Sequence, residues 1–129
     1  MAKKKRISVQ SAKAKGRLLQ NFVAKILSDI TKIPWGEDEL ISSRSGGQAG
    51  TDLRLVGKAA VLIPFDIECK YQETFSIPAW IKQAKANTEE GRTWLLVCRK
   101  NYMDPIVVLD AVEFFELFDR LLHAEGDLE

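Results

Sequence analysis

A strict alternation of apolar and charged side chains in the middle of the chain constrains the fold more than any other feature. In an extended strand, neighbouring side chains point to opposite faces, so Phe65, Ile67 and Cys69 would share one face. The residues between and after them, which would share the other face, are Asp66, Glu68 and Lys70. The run therefore predicts a strand that packs into a core on one side and places acids beside a base on the other.

Hydrophobic spacing on either side of this run predicts alternating helices and strands. From Ser11 a helical pattern carries two neighbouring apolar rows at i, i+4 spacing. The rows are Leu18, Phe22, Ile26 and Ile30, and Leu19, Val23 and Leu27. Strands are then expected over residues 39–43, 51–56, 59–70, 93–99 and 105–110, and further helices over 75–92 and 111–126. The order helix, three strands, helix, two strands, helix predicts an α/β protein, with a central mixed five-stranded sheet flanked by helices.

The helix ends carry recognisable signals. Pro78 suits the first turn of the middle helix, where a missing N–H costs nothing, and Gly91 is expected to end that helix. Asp110 is expected to cap the last helix. The inner row of that helix would consist of Phe115, Phe118 and Leu122.

Charge is distributed unevenly along the chain, although the formal net charge is only +1. Residues 1–28 contain eight basic side chains and no acid, whereas residues 104–129 contain eight acids and one arginine. We expect a flexible basic arm over residues 1–10 and a single domain over residues 11–129, whose size suits one hydrophobic core. A basic end of this kind is suited to binding a polyanion such as nucleic acid. The expected contacts are Lys3, Lys4, Lys5, Arg6, Lys15 and Arg17.

Composition excludes several other classes. Hydrophobic residues make up 46% of the chain, which excludes a disordered protein, and no apolar run is long enough to predict a membrane span. No apolar stretch follows the basic start, so a secretory signal is not expected. Cys69 and Cys98 lie in apolar strand-like runs and are expected to be buried and reduced, while a single histidine argues against zinc. These features predict a cytoplasmic protein with no membrane partner.

Three polar residues can converge on one edge of the predicted sheet. Asp52 begins the second predicted strand, and Glu68 and Lys70 end the third, so a hairpin between the strands would bring them together. Two carboxylates suit Mg²⁺, with Mn²⁺ as a possible replacement, and the Cys69 backbone carbonyl could supply another oxygen ligand. A neighbouring lysine can orient a water and offset phosphate charge, which suits phosphodiester hydrolysis. Asp66 shares this face and is expected to lie in solvent or outside the ligand set.

The Glu-x-Lys pattern has an ordinary interpretation as well, because edge strands often carry such a pair facing solvent. The adjoining motifs favour the first interpretation. "GTDLRLV" followed by "FDIECK" resembles the PD-(D/E)XK nuclease superfamily, with Thr51-Asp52 in place of Pro-Asp. "AKGRLLQNFVAKIL" and "SSRSGGQAGTD" are similar to the first helix and the glycine-rich loop of archaeal and phage Holliday junction resolvases. The resemblance covers residues 14 to about 98.

The resemblance implies a restriction-endonuclease-like fold and a nuclease site. Asp52 and Glu68 would be the metal ligands and Lys70 the catalytic lysine, while Gln83 would position the lysine or the water. Ser43 and Arg44 would lie near the phosphate, on the loop before Asp52. Gln20 stands where the resolvases carry a glutamate and would be a further catalytic residue, since a glutamine can hold a metal-bound water although it carries no negative charge.

Three functions follow from these patterns. The first is a metal-dependent endonuclease selective for branched DNA, a Holliday junction resolvase, in a prokaryotic or phage-infected cell. Two symmetric nicks would require a homodimer, with an interface on the last helix or near residues 94–109. The second is another PD-(D/E)XK DNA nuclease, either restriction-like or linked to replication. The third is a non-catalytic DNA-binding protein on the same fold, which the change at Gln20 favours.

Overall fold

A computed structural model describes residues 8–44 and 49–124. Over these residues the chain forms four helices and five strands. In chain order they are α1 (Val9–Thr31), β1 (Ile41–Ser43), β2 (Leu53–Leu55), α2 (Lys58–Leu62), β3 (Phe65–Tyr71), α3 (Ile77–Asn87), β4 (Thr93–Arg99), β5 (Ile106–Val108) and α4 (Ala111–Ala124). The predicted α/β class is confirmed. Most of the predicted basic arm, with Lys3, Lys4, Lys5 and Arg6, lies outside the described residues.

The five strands form two sheets rather than the single five-stranded sheet that was predicted. β3 pairs with β4 in parallel and β4 pairs with β5 in antiparallel fashion, giving a mixed sheet in the order β3-β4-β5. β1 and β2 form a separate antiparallel pair. The two sheets meet where the Asp52 N–H donates to the Ile67 carbonyl oxygen at 3.0 Å. This bond joins the start of β2 to the free edge of β3.

Helices cover both faces of the mixed sheet. On one face α1 buries Leu19, Val23 and Ala24 against a core that includes Ile67 and Cys69 of β3. On the other face α3 buries Trp80 in a second cluster with residues of β4. The alternation along β3 is therefore correct as a prediction of two faces, but the face that carries Asp66 and Glu68 lies under α3 instead of in solvent.

The predicted strand over residues 59–70 is wrong in its first half, where the chain forms α2. Gly57 adopts a positive φ of 58° that starts this short helix, and Ala59 packs fully buried in the core. Ile63 then returns to an extended conformation before Pro64, because a residue that precedes proline is disfavoured in the helical region. The strand begins only at Phe65.

Helix ends differ from the predictions by a few residues. The Ser8 hydroxyl accepts the Ser11 N–H at 3.1 Å, so α1 begins at Val9 instead of Ser11. α3 ends at Asn87, four residues before Gly91. Asp110 caps α4 as predicted, since its Oδ2 accepts the N–H groups of Val112 and Glu113.

Two apolar helix surfaces remain exposed. The first predicted row of α1 is at least two-fifths exposed at each position, while the second row supplies the core. α4 buries none of its residues, and the predicted inner residues Phe115 and Phe118 are 63% and 49% exposed. The inner-row prediction is therefore wrong for Phe115 and Phe118 in the single chain, whereas Leu122 is half-buried. None of the described helices is long and apolar enough to span a bilayer.

Candidate active site

Asp52 is held at the edge of β3 by two hydrogen bonds. It directly precedes β2, and its N–H donates to the Ile67 carbonyl. Its carboxylate Oδ2 accepts the backbone N–H of Cys69 at 2.6 Å. Asp52 thus lies against the segment of β3 that contains Glu68, although β2 and β3 do not pair as the expected hairpin.

Glu68 is the buried acid of the site. It is 1% exposed, and its Oε1 accepts a hydrogen bond from Asn87 Nδ2 at 2.9 Å. Burial raises the pKa of the Glu68 carboxyl from its usual 4.5 to about 7, and the nearby Asp52 charge and a hydrogen bond shared with Asp52 push it the same way. The Asn87 bond and the Lys70 charge lower the pKa and offset part of this effect. Glu68 therefore keeps its proton to a much higher pH than an exposed glutamate does.

Lys70 and the Cys69 backbone complete the group. Lys70 is half-buried, close enough to Glu68 for its charge to favour the ionised carboxylate, and lines an open cleft. The Cys69 N–H points at Asp52, and the N–H and C=O of one strand residue face the same neighbouring strand. The Cys69 carbonyl is therefore directed toward the Asp52 edge. The Cys69 thiol is buried in the core, and burial raises its pKa.

Asp66 lies outside this group, which is one of its two predicted places, and it is buried instead of in solvent. Its Oδ1 accepts a hydrogen bond from Arg92 Nε at 2.7 Å in an ion pair. Its Oδ2 accepts the Glu89 N–H at 2.9 Å. Arg92 also donates to the carbonyl oxygens of Ala60, Ile63 and Phe65. Asp66 therefore has a structural role, fixing the turn after α3 to the start of β3.

The remaining predicted residues lie around this centre with different roles. Gln83 is exposed on α3, and among the described residues no hydrogen bond joins it, or the half-buried Gln20 on α1, to the two acids. The Ser43 hydroxyl donates to Asn21 Oδ1 at 2.9 Å. Arg44 packs against Gly50, and its Nε donates to the Thr51 carbonyl at 2.7 Å.

Lys15 and Arg17, the two residues of the first helix predicted to contact DNA, lie in different surroundings. Arg17 is exposed on α1. Lys15 lies at the cleft, and its Nζ donates to Asn101 Oδ1 at 3.0 Å. The cleft has a volume of about 480 Å³, and its lining also includes Lys70 and Tyr71. Lys15 and the candidate catalytic lysine thus share one opening.

Sequence reasoning missed Asn87, the residue that holds Glu68. Asn87 lies one helical turn after Gln83, on the same side of α3 as the buried Trp80 and Ala84. Its spacing of four from Gln83 was a usable signal, since residues four apart share a helix face. Gln83, to which the resemblance assigns the positioning of the lysine or the water, lies one turn earlier on α3.

The donor set fits a hard divalent cation. A bound cation would favour the ionised form of Glu68, whose carboxyl otherwise keeps its proton up to a pKa of about 7. Asp52 Oδ2 and Glu68 Oε1 each accept a hydrogen bond from a protein donor, and a cation would take the place of the hydrogen bond that the two carboxyl groups share. Within residues 8–44 and 49–124 no three acidic, histidine or cysteine side chains are arranged so that together they could hold a metal ion. Asp52, Glu68 and the Cys69 carbonyl are the residues that would hold the ion.

No family model matches the chain, and comparisons with curated proteins and with solved structures found no match. Support for the site therefore comes from its own geometry and chemistry.

Proposed function

We propose that this chain is a metal-dependent endonuclease that hydrolyses phosphodiester bonds in branched DNA, with the four-way Holliday junction as its substrate. One observation carries the proposal: the Asp52 carboxylate meets the buried Glu68, and Lys70 follows on the same face of β3. Two acids and a lysine at one strand edge form the set that metal-assisted phosphodiester hydrolysis needs.

The strand arrangement supports a restriction-endonuclease-like fold. The antiparallel β1–β2 pair contacts β3 through the backbone hydrogen bond between Asp52 and Ile67. After β3 the chain crosses through α3 to β4, which pairs with β3 in parallel. The acids lie where the two sheets meet. This placement agrees with the resemblance of "GTDLRLV" and "FDIECK" to PD-(D/E)XK nucleases.

Each residue of the site would have a separate role in the reaction. Asp52, Glu68 and the Cys69 carbonyl would bind the cation, and Mg²⁺ or Mn²⁺ would supply positive charge at the phosphate and polarise the attacking water. Asn87 would orient Glu68. Lys70 would offset the negative charge that develops on the phosphate.

A four-way junction presents two equivalent strands, so we propose a homodimer that acts in the cytoplasm of a prokaryotic or phage-infected cell. The exposed apolar face of α4 supports a second copy as the partner, since a helix with no buried residue is marginal by itself. α4 is acidic overall, while α1, with an exposed apolar row of its own, is basic.

Cleavage of a labelled four-way junction in Mg²⁺ tests the proposal, beside a linear duplex and a flap of related sequence. Paired symmetric nicks in the junction alone, lost in EDTA and in Lys70→Ala, are the expected result. Lys58→Ala is the matched control, because Lys58 is an exposed lysine on α2, before the opposite end of β3. Cleavage of the flap or duplex instead would assign a different nuclease activity. Binding without cleavage in either Mg²⁺ or Mn²⁺ would contradict the catalytic role.

A further inference from the structure

The turn between β4 and β5 carries a tyrosine that the proposed chemistry does not use. Tyr102 is fully exposed, and its backbone has a φ of 61°. A bulky side chain in this left-handed region is strained, and such residues persist where the surrounding structure fixes them. Lys100 and Arg99 directly precede this turn.

The same turn is tied to the catalytic end of β3. Asn101 Oδ1 accepts hydrogen bonds from Tyr71 Oη at 2.9 Å and from Lys15 Nζ at 3.0 Å. The Asn101 N–H donates to Glu73 Oε2 at 2.9 Å. Tyr71 directly follows Lys70, so these bonds fix the turn beside the candidate active site.

Positive charge is concentrated at this point. The Arg99 guanidinium carbon lies 4.7 Å from the centre of the Tyr71 ring, and Lys15 Nζ lies 5.3 Å from it. Lys15 and Lys70 both line the 480 Å³ cleft. Two acids lie nearby: one carboxylate oxygen of Glu73 is bound to the Asn101 N–H, and Asp104 is exposed in the β4–β5 turn. The cleft therefore presents cations that suit the phosphates of a nucleic-acid strand.

We propose that the cleft and the β4–β5 turn form a binding site for a single DNA strand, in which Tyr102 stacks on an unpaired base while Lys15 and Arg99 hold the adjoining phosphates. Cationic grooves with an exposed aromatic side chain are typical of single-strand sites, since every base has a face on which an aromatic ring can stack. Tyr71 is not the stacking residue, because Lys15 and Arg99 lie over its ring. The ring that is exposed to an incoming base is that of Tyr102. The site rests on the proposed nuclease function and deepens it, by holding a base that opens from its pair at the branch point, next to the scissile strand.

Fluorescence of a single-stranded oligonucleotide that contains 2-aminopurine tests the site, with EDTA present so that no cleavage occurs. Wild-type protein and Tyr102→Phe are expected to bind it and to quench the 2-aminopurine fluorescence by stacking. Tyr102→Ala and Tyr102→Gly are expected to lose the quenching and to bind about five- to a hundred-fold more weakly. Tyr102→Gly removes the backbone strain, so its thermal stability should be no lower than that of the wild type, and weaker binding by this variant cannot come from misfolding.

A salt series distinguishes the phosphate contacts from stacking. Lys15→Ala should weaken binding and reduce the slope of log affinity against log salt by about one. Lys58→Ala should leave both unchanged. Wild-type affinity and quenching retained in Tyr102→Ala and Tyr102→Gly would overturn the inference while leaving the nuclease proposal intact. Single-strand binding that depends on Tyr102, in a protein that cuts no DNA, would support this site and reject the proposed function.

Discussion

At Glu68, burial favours the protonated carboxyl group, whereas binding of a cation requires the ionised carboxylate. The folded protein keeps a proton on Glu68 up to a pKa of about 7, whereas the unfolded chain releases it near 4.5. Between these values the folded state binds more protons, so the free energy of unfolding falls as the pH rises. A bound divalent cation would reverse this dependence, because it binds the ionised carboxylates.

Glu68→Gln should therefore stabilise the metal-free protein at alkaline pH while abolishing cleavage. We expect wild-type protein to lose roughly 2–3 kcal/mol of unfolding free energy between about pH 5 and about pH 8 through this group, and the variant to lose none of it. Urea denaturation in EDTA at both values measures the difference. An identical pH dependence in the two proteins would show that Glu68 is ionised throughout. Added Mg²⁺ should stabilise only the wild type.

Asn87 is expected to set the pH at which the site becomes active. Its hydrogen bond lowers the pKa of Glu68, so Asn87→Ala should raise that pKa above about 7 and move the acidic limb of the cleavage profile to higher pH. Cleavage rates across a pH series measure the shift. Lys82→Ala, at an exposed position on the same helix, is the control. A uniform loss of rate with no shift would mean that Asn87 has a purely structural role.

At the scale of elements, one arginine holds the turn between α3 and β4 to both α2 and β3. Arg92 pairs with Asp66 and donates to three carbonyls near the end of α2 and the start of β3. This network keeps the strand that bears the site in place from the end opposite to Lys70.

Arg92→Ala should destabilise the fold by about 3 kcal/mol, since it leaves the buried Asp66 without its partner. Arg92→Lys keeps the charge but loses the planar fork, so an intermediate loss is expected. Chemical denaturation curves compare the three proteins. A loss below about 0.5 kcal/mol in Arg92→Ala would place this pair among weak surface ion pairs.

At the scale of the whole molecule, the exposed apolar helix faces predict self-association. α4 exposes Val112, Phe114, Phe115, Phe118 and Leu121, and α1 exposes Leu18, Phe22, Ile26 and Ile30. The two helices carry opposite net charge, so packing of α1 against α4 of a second copy is favoured over contact between two acidic α4 helices.

Phe118→Asp should convert a dimer into a monomer without unfolding the chain, because Phe118 is half-exposed in the single chain. We expect at least about a tenfold weaker association, equal to about 1.4 kcal/mol. Sedimentation equilibrium gives the mass of each species. Val61→Asp is the matched control, because Val61 is an exposed apolar residue on α2. A monomeric wild type at every concentration would reject the dimer.

The sequence by itself determined the α/β class and the two faces of β3, because strand alternation and helical spacing are local properties. The nuclease interpretation of the candidate active site and its resemblance to resolvases remain predictions. Tertiary structure decided the rest. Residues 59–62 form α2 although their apolar run suits a strand, since Gly57 and Pro64 bound a short helix against the core. Burial under α3 selected Asn87 as the partner of Glu68, and Arg92 as that of Asp66. These pairings depend on which helix covers which sheet face, and neighbouring residues do not encode that choice.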